Sequence, residues 1–216
     1  PKKTNDSIWA GYFAFGSYGM PNETFWEGIE QLPGGHSLIY KNGQLSLNKW
    51  YVFEEEIKKY KKDLPFDEVK KTYQDLLEES IKLRFRADVP VGFNVSGGLD
   101  SSTLLALVNR NEKGEKINAY TFYTGDPNYD ELPWVEELLA NTQNPLHKLL
   151  LNASEVKDLS VKMSGFQDEP FGGVPTIAYG KIFQQARKDK VIVLLDGQGM
   201  DEQWAGYDYY VKKNDS

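Results

Sequence analysis

Residues 91–108 read VGFNVSGGLDSSTLLALV, two apolar runs joined by Ser96-Gly97-Gly98-Leu99-Asp100-Ser101-Ser102. A plain strand-to-helix connection needs one glycine and a cap. Two glycines, three serines and an acid ask for a ligand. The glycines let backbone approach it closely, and Ser101 and Ser102 open a helix whose unpaired N–H groups and dipole favour an anion. A phosphate suits that place. A Walker A loop would carry a lysine directly before Ser or Thr to reach the outer phosphates, and Asp100 stands there instead. An acid beside a phosphate cradle is explained by Mg²⁺ between them, because Mg²⁺ takes one or two carboxylates plus phosphate oxygens. The stretch therefore reads as a Mg-pyrophosphate site, with a glycine-rich turn and a helix-capping Asp as the structural alternative.

Outward from this loop, strand-like and helix-like patterns alternate. Val69, Tyr73, Leu76, Leu77, Ser80, Ile81 and Phe85 recur at spacings of three and four and predict an amphipathic helix. Strands are predicted at residues 88–95, 117–123 (INAYTFY), 147–151 (HKLLL) and 191–195 (VIVLL). Helices are predicted from Ser101, over 132–142, near 155–164 and over 176–188. That order predicts an α/β fold, a doubly wound parallel sheet of about five strands with helices on both faces. Before it, residues 8–53 are aromatic and strand-like, and HSLIYKNGQLSLNKWYV (36–52) alternates about Asn42-Gly43, a hairpin dipeptide. This predicts a small β appendage over 1–53, a charged linker over 54–65 and the main domain over 66–216.

Open parallel sheets bind ligands beyond the carboxyl ends of their strands. The loop after VIVLL, LLDGQGMDEQWAGY (194–207), returns a second acid to that edge. If the two strands are neighbours, Asp100 and Asp201 share a cation. Alone, Asp201 and Glu202 would read equally well as first-turn helix acids. Other features read as structure: Asp168 and Glu169 as part of a loop, Asp130 and Glu131 as acids opening a helix, and Trp204, Tyr207 and Tyr210 as a packed helix face.

Composition narrows the function further. With 32 acidic against 25 basic side chains the formal charge is −7, the wrong sign for a surface that displaces counterions from nucleic acid. The absence of cysteine removes disulfides and thiolate chemistry, and two histidines without ligand spacing read as surface or packed imidazoles. No apolar run has membrane-spanning length and no secretory signal reads from Pro1-Lys2-Lys3-Thr4, so no membrane association and a cytoplasmic setting are expected.

VSGGLDSS followed about a hundred residues later by DGQGMDEQWAGY resembles the synthetase domain of the glutamine-hydrolysing asparagine synthetases, a branch of the PP-loop ATP pyrophosphatases (adenine nucleotide α-hydrolase-like) that includes β-lactam synthetases. Residues 25–51 resemble the last strands of that family's glutaminase domain. The resemblance implies an enzyme that uses ATP and Mg²⁺ to adenylate the aspartate side chain, releases pyrophosphate and makes asparagine with glutamine-derived ammonia. By motif, Ser96, Gly97, Gly98, Ser101 and Ser102 would hold pyrophosphate, Asp100 and Asp201 the metal, and Val95, Thr124, Asp196 and Gly197 the adenosine through backbone. Gln198 and Glu202 join Asp100 and Asp201 as catalytic candidates. Many members carry Ser and Glu where this chain has Asp196 and Gln198, which leaves the proton path and the acceptor acid open. The family's lysine lies beyond Ser216 and its cysteine nucleophile before Pro1, so an inactive fragment of a parent with a glutaminase domain, and room for a homodimer, is expected. A ligase for another carboxylate and a non-catalytic nucleotide-binding module are the alternatives.

Overall fold

The computed structural model describes residues 2–60, 63–111 and 116–208. Two compact units divide the chain, Pro1–Glu68 and Val69–Ser216.

In the first unit, β1 (His36–Lys41) and β2 (Gln44–Lys49) form the predicted hairpin, with Leu38 opposite Leu47 and Tyr40 opposite Leu45. Asn42 and Gly43 both have positive φ, 53° and 78°, the conformation a two-residue turn demands. The strand-like expectation fails at residues 8–15, which belong to helix α1 (Asp6–Phe15). Aromatic content there signals packing and not strand: Trp9, Tyr12 and Phe13 lie at helical spacing, and Trp9 and Tyr12 meet the buried Phe25 with ring centroids 4.8 and 5.7 Å away. Gly16 ends the helix in the left-handed region, its N–H donating to the Tyr12 carbonyl. The charged stretch expected as linker opens as a short helix, α2 (Phe53–Glu56), and a 3₁₀ turn (Ile57–Lys59), with acids first and lysines last as the helix dipole prefers.

In the second unit, α3 (Phe66–Arg84) precedes β3 (Val91–Asn94), α4 (Leu99–Asn111), β4 (Ala119–Tyr123), α5 (Leu132–Ala140), β5 (Leu146–Leu150), α6 (Val156–Gln167), α7 (Val174–Lys188), β6 (Val193–Leu195) and α8 (Met200–Trp204). The strands form one parallel sheet, four strands among the described residues, in the order β5-β4-β3-β6. Strand alternation sends Phe93, Val95 and Ala119 to one face, where they meet Ile81 of α3, Leu105 and Val108 of α4, and Val135 and Leu139 of α5. Tyr120, Phe122 and Leu194 point the other way, onto Ile177, Ala178, Ile182 and Ala186 of α7, with Val156 and Leu159 of α6 beside them. Both faces are therefore covered, as near-continuous apolar strands require.

Polar groups fasten the amino-terminal edge of the sheet. Asn144 is buried; its Oδ1 accepts the Ile117 N–H at 3.1 Å while its Nδ2 donates to Asn109 Oδ1 at 2.6 Å. Tyr120 stacks on His147 with centroids 4.7 Å apart and donates its hydroxyl to Asp189 Oδ2 at 3.1 Å. Burial, and then that carboxylate, push the Tyr120 pKa far above its ordinary value. Of the two readings left open for the histidines, surface or packed, His147 takes the packed one, its Nδ1 3.3 Å from Asp189 Oδ2.

Replacing Asn144 by Ala leaves a buried Ile117 N–H without its acceptor, a loss of about 1–3 kcal/mol. Urea denaturation of Asn144→Ala should show that loss as a lower midpoint at unchanged slope.

Candidate functional site

Strand order fixes where the two motif loops meet. From β3 the chain goes outward to β4 and β5, then returns through α7 to place β6 on the other side of β3, so the connections diverge between β3 and β6. Such a switch point opens a crevice at the carboxyl ends of the two strands. The loops 95–98 and 196–199 both emerge there.

They are in van der Waals contact. A Cβ built on Gly197 would lie 3.0 Å from Asp100 Cβ and 3.0 Å from the Ser101 backbone nitrogen, tighter than nearly all real Cβ contacts. A side chain at this position would have to push the second loop back from the start of α4. Gly97 is constrained differently: its φ is +82°, and a Cβ would meet Trp134 Cβ at 3.1 Å and the Glu131 carbonyl at 3.2 Å. The first loop is thereby pressed against the start of α5.

Within the first loop, serine hydroxyls hold the amides. The Ser96 N–H donates to Ser101 Oγ at 3.3 Å, the Gly98 N–H to Ser96 Oγ at 3.3 Å, and the Ser101 hydroxyl to the Gly98 carbonyl at 3.2 Å. In the second loop, the Gln198 N–H donates to Asp196 Oδ1 at 3.1 Å.

The crevice is a cavity of about 180 Å³. Asn94, Ser96, Asp100 and Ser101 line it from the first motif, and Asp196, Gly197, Gln198, Gly199, Asp201 and Glu202 from the second. Most of the predicted site residues are thus brought together. Gly97, Gly98 and Ser102 belong to the same loop and helix start without lining the cavity, and the Val95 side chain is buried in the core beneath it. Thr124 does not line it either: its N–H and hydroxyl donate to Asp130 Oδ1 at 2.6 and 2.8 Å. Four wall residues were missed by sequence reasoning: Asn94, Tyr179, Gly199 and Tyr207. Asn94 was legible as the last inward polar residue of a strand feeding the loop. Tyr179 had no such signal, because its place on the α7 face toward the crevice depends on how that helix crosses the sheet. Of the proposed packed tail face, Trp204 meets the Tyr73 ring at 6.2 Å, and Tyr207 lies beyond α8 with its hydroxyl 3.2 Å from Glu202 Oε1. Tyr210 lies outside the described residues.

Burial raises the Asp100 pKa, and the negative charges of Asp201 and then Glu202 raise it further, against an opposing contribution from the Asp201 backbone N–H. Carboxylates gathered this way repel one another, and a divalent cation would reverse the sign of that interaction. Among the described residues no group of three or more His, Cys, Asp or Glu is arranged to hold a metal alone. The donor set fits a cation that draws its remaining ligands from phosphate, the habit of Mg²⁺.

The family model described as "Asparagine synthase" matches residues 72–216. A protein of Methanocaldococcus jannaschii, provisionally named asparagine synthetase 2 (glutamine-hydrolyzing), is 33% identical over 200 residues, covering 91% of this chain and 37% of that protein. A Gibberella zeae protein named amidase chry2 is 23% identical over 210 residues, covering 90% of this chain and 31% of its own length. This chain therefore spans about a third of the curated relatives it matches. Among solved structures, an NH3-dependent NAD synthetase from Campylobacter jejuni in complex with nitrate aligns at 15% identity and a TM-score of 0.42, over 67% of this chain and 61% of that one.

Two outcomes are expected. Gly197→Ala should force the two loops apart and weaken Mg-ATP binding by about 10- to 100-fold in titration calorimetry, with the circular dichroism spectrum unchanged. Asp100→Asn removes a charge that is uncompensated in the cation-free protein. The raised Asp100 pKa means its ionised form costs stability, fully relieved below the unfolded-state value and felt as pH rises through the folded one. The variant should therefore melt at the same temperature or up to about 2–4 °C higher at neutral pH without Mg²⁺, while losing Mg-ATP binding.

Proposed function

Because the chain belongs to the asparagine synthase family, we propose that its parent protein is an ATP-dependent amide ligase that activates the side-chain carboxylate of aspartate and transfers the acyl group to ammonia derived from glutamine. The observation that carries this is the convergence, in one crevice between β3 and β6, of a phosphate-type loop and a second loop bearing Asp201.

In the first step a carboxylate oxygen attacks the α-phosphorus of ATP, the bond to pyrophosphate breaks, and an acyl-adenylate forms. In the second, the ammonia nitrogen attacks the acyl carbon, AMP leaves with the bonding electrons, and a proton is lost from nitrogen. The amides of Gly97 and Gly98, the hydroxyls of Ser96, Ser101 and Ser102, and the start of α4 would take the pyrophosphate. Asp100 and Asp201 would hold Mg²⁺, with Glu202 beside them. Bound there, the ion supplies positive charge against the charge that develops on the leaving pyrophosphate. Because that charge grows during the reaction, donors fixed beforehand by the loop favour the transition state over bound ATP.

The adenosine would lie along the carboxyl ends of β3 and β4. There Val95 can offer only backbone, and Thr124, its N–H and hydroxyl taken by Asp130, chiefly its carbonyl. Asp196 and Gly197 would border it from the other loop. Gln198, which lines the crevice, would serve the acyl-transfer step; its amide can orient a nucleophile by hydrogen bonding but cannot remove a proton at neutral pH.

A second reading keeps the chemistry and changes the acceptor acid. Gln198 favours it, and a relative bearing an amidase name matches along most of the chain.

ATP–pyrophosphate exchange by the full-length parent separates the two. Aspartate-dependent exchange is expected, falling about 10²–10³-fold in Asp201→Asn. Exchange that other carboxylic acids support and aspartate does not would replace the first reading with the second.

A further inference from the structure

The acid that the sequence presents as a helix-opening residue, Asp130, accepts three charge-assisted hydrogen bonds at the carboxyl edge of the sheet. Its Oδ1 accepts the Thr124 N–H at 2.6 Å and the Thr124 hydroxyl at 2.8 Å, and its Oδ2 accepts the Gly125 N–H at 2.7 Å. It precedes α5 and so lies outside the helix's first turn. Burial works to raise its pKa, but these three bonds outweigh it and hold the carboxyl below the usual carboxylate range.

The residues it joins are placed to matter. β3 ends at Asn94, which pairs with Tyr120, so β4 runs on beyond it to Tyr123 and delivers Thr124 and Gly125 past the end of the central strand. Gly125 turns there with φ +81°. On the other side of Asp130, the Glu131 carbonyl accepts the Trp134 and Val135 N–H groups at 3.0 and 3.2 Å and opens α5. That same carbonyl and the Trp134 Cβ are the atoms that crowd Gly97. One carboxylate therefore ties the end of β4 to the helix start on which the phosphate-type loop rests. The loop between carries its own bonds: Asp126 Oδ1 accepts the Asn128 N–H at 2.9 Å, and the Asp126 carbonyl accepts the Tyr129 and Asp130 N–H groups at 3.0 Å each.

We propose that Asp130 is a positioning residue of the nucleotide site: by clamping the Thr124–Gly125 turn it seats the start of α5 against Gly97 and so sets the shape of the loop that receives the pyrophosphate. This rests on the crevice between β3 and β6 being where ATP binds. Asp130 itself touches no reacting atom; it acts through Glu131, Trp134 and Gly97.

The test is Mg-ATP binding by the full-length parent, measured by titration calorimetry for wild type, Asp130→Ala and Asp130→Asn, with kinetics of pyrophosphate exchange alongside. Asp130→Ala should weaken ATP binding and raise its KM about 10- to 100-fold, with kcat at saturating ATP changed by less than about twofold, because a misplaced loop is restored by occupancy. Asp130→Asn keeps one carbonyl acceptor and turns an amide NH₂ toward a donor, so its affinity should fall between the other two. It also serves as the probe if the Ala variant does not fold. A variant that melts lower yet binds Mg-ATP as tightly as wild type would overturn the proposal and leave Asp130 a purely structural residue. A wild-type parent that does not bind Mg-ATP would instead remove the site assignment, and this inference with it.

Discussion

Everything at the carboxyl edge of the sheet depends on the close approach of Gly197 to the start of α4. The contact is possible because β6 pairs directly with β3 and because no side chain stands between the loops. Once it is made, the acids that follow each loop share one small volume of space, and neither loop can shift without the other. The energetic sign of this arrangement is unfavourable for the protein by itself. Asp100 is raised by burial and by its acidic neighbours, a repulsion of the kind that a bound cation would relieve. Stability given up in a site and recovered on binding is a common signature of function.

The first loop resolves a related problem. Backbone amides ahead of and within a helix's first turn are donors short of acceptors. Ser96 and Ser101 supply acceptors, at distances of 3.3 Å that mark weak bonds. Weak internal bonds are readily exchanged for phosphate oxygens, whereas strong ones would compete with the ligand. The buttress on the other side is rigid by contrast: Gly97 abuts α5, whose Val135 is fully buried in the core beneath.

The parallel sheet, its two covered faces and the hairpin were legible because each rests on periodicity and turn chemistry, signals carried by nearest neighbours. Helix α1 was misread because Trp9, Tyr12 and Phe13 have high strand preference, and the packing of Trp9 and Tyr12 on Phe25, a contact distant in sequence, makes the helix the better use of them. The same distinction runs through the site. Asp100 and Asp201 open helices directly behind loops whose composition is abnormal for their length, and composition can be read along the chain. Asp130 looks like an ordinary acid before a helix, because the amides it binds belong to a strand end whose course must be known first. Tyr179, on α7, is recognisable as a wall residue only once that helix is laid across β4.

Asp100 and Asp201 follow β3 and β6, with the whole of β4, β5 and their helices lying between them in the chain. On a ribosome, which extends the chain from its amino end, the serine and glycine loop exists long before the acid it faces. Until β6 slots in beside β3, Asp100 has no carboxylate opposite it and the cradle has one wall. The acidic pair is therefore completed only once β6 has been made, a seal set on strands that precede it in the chain.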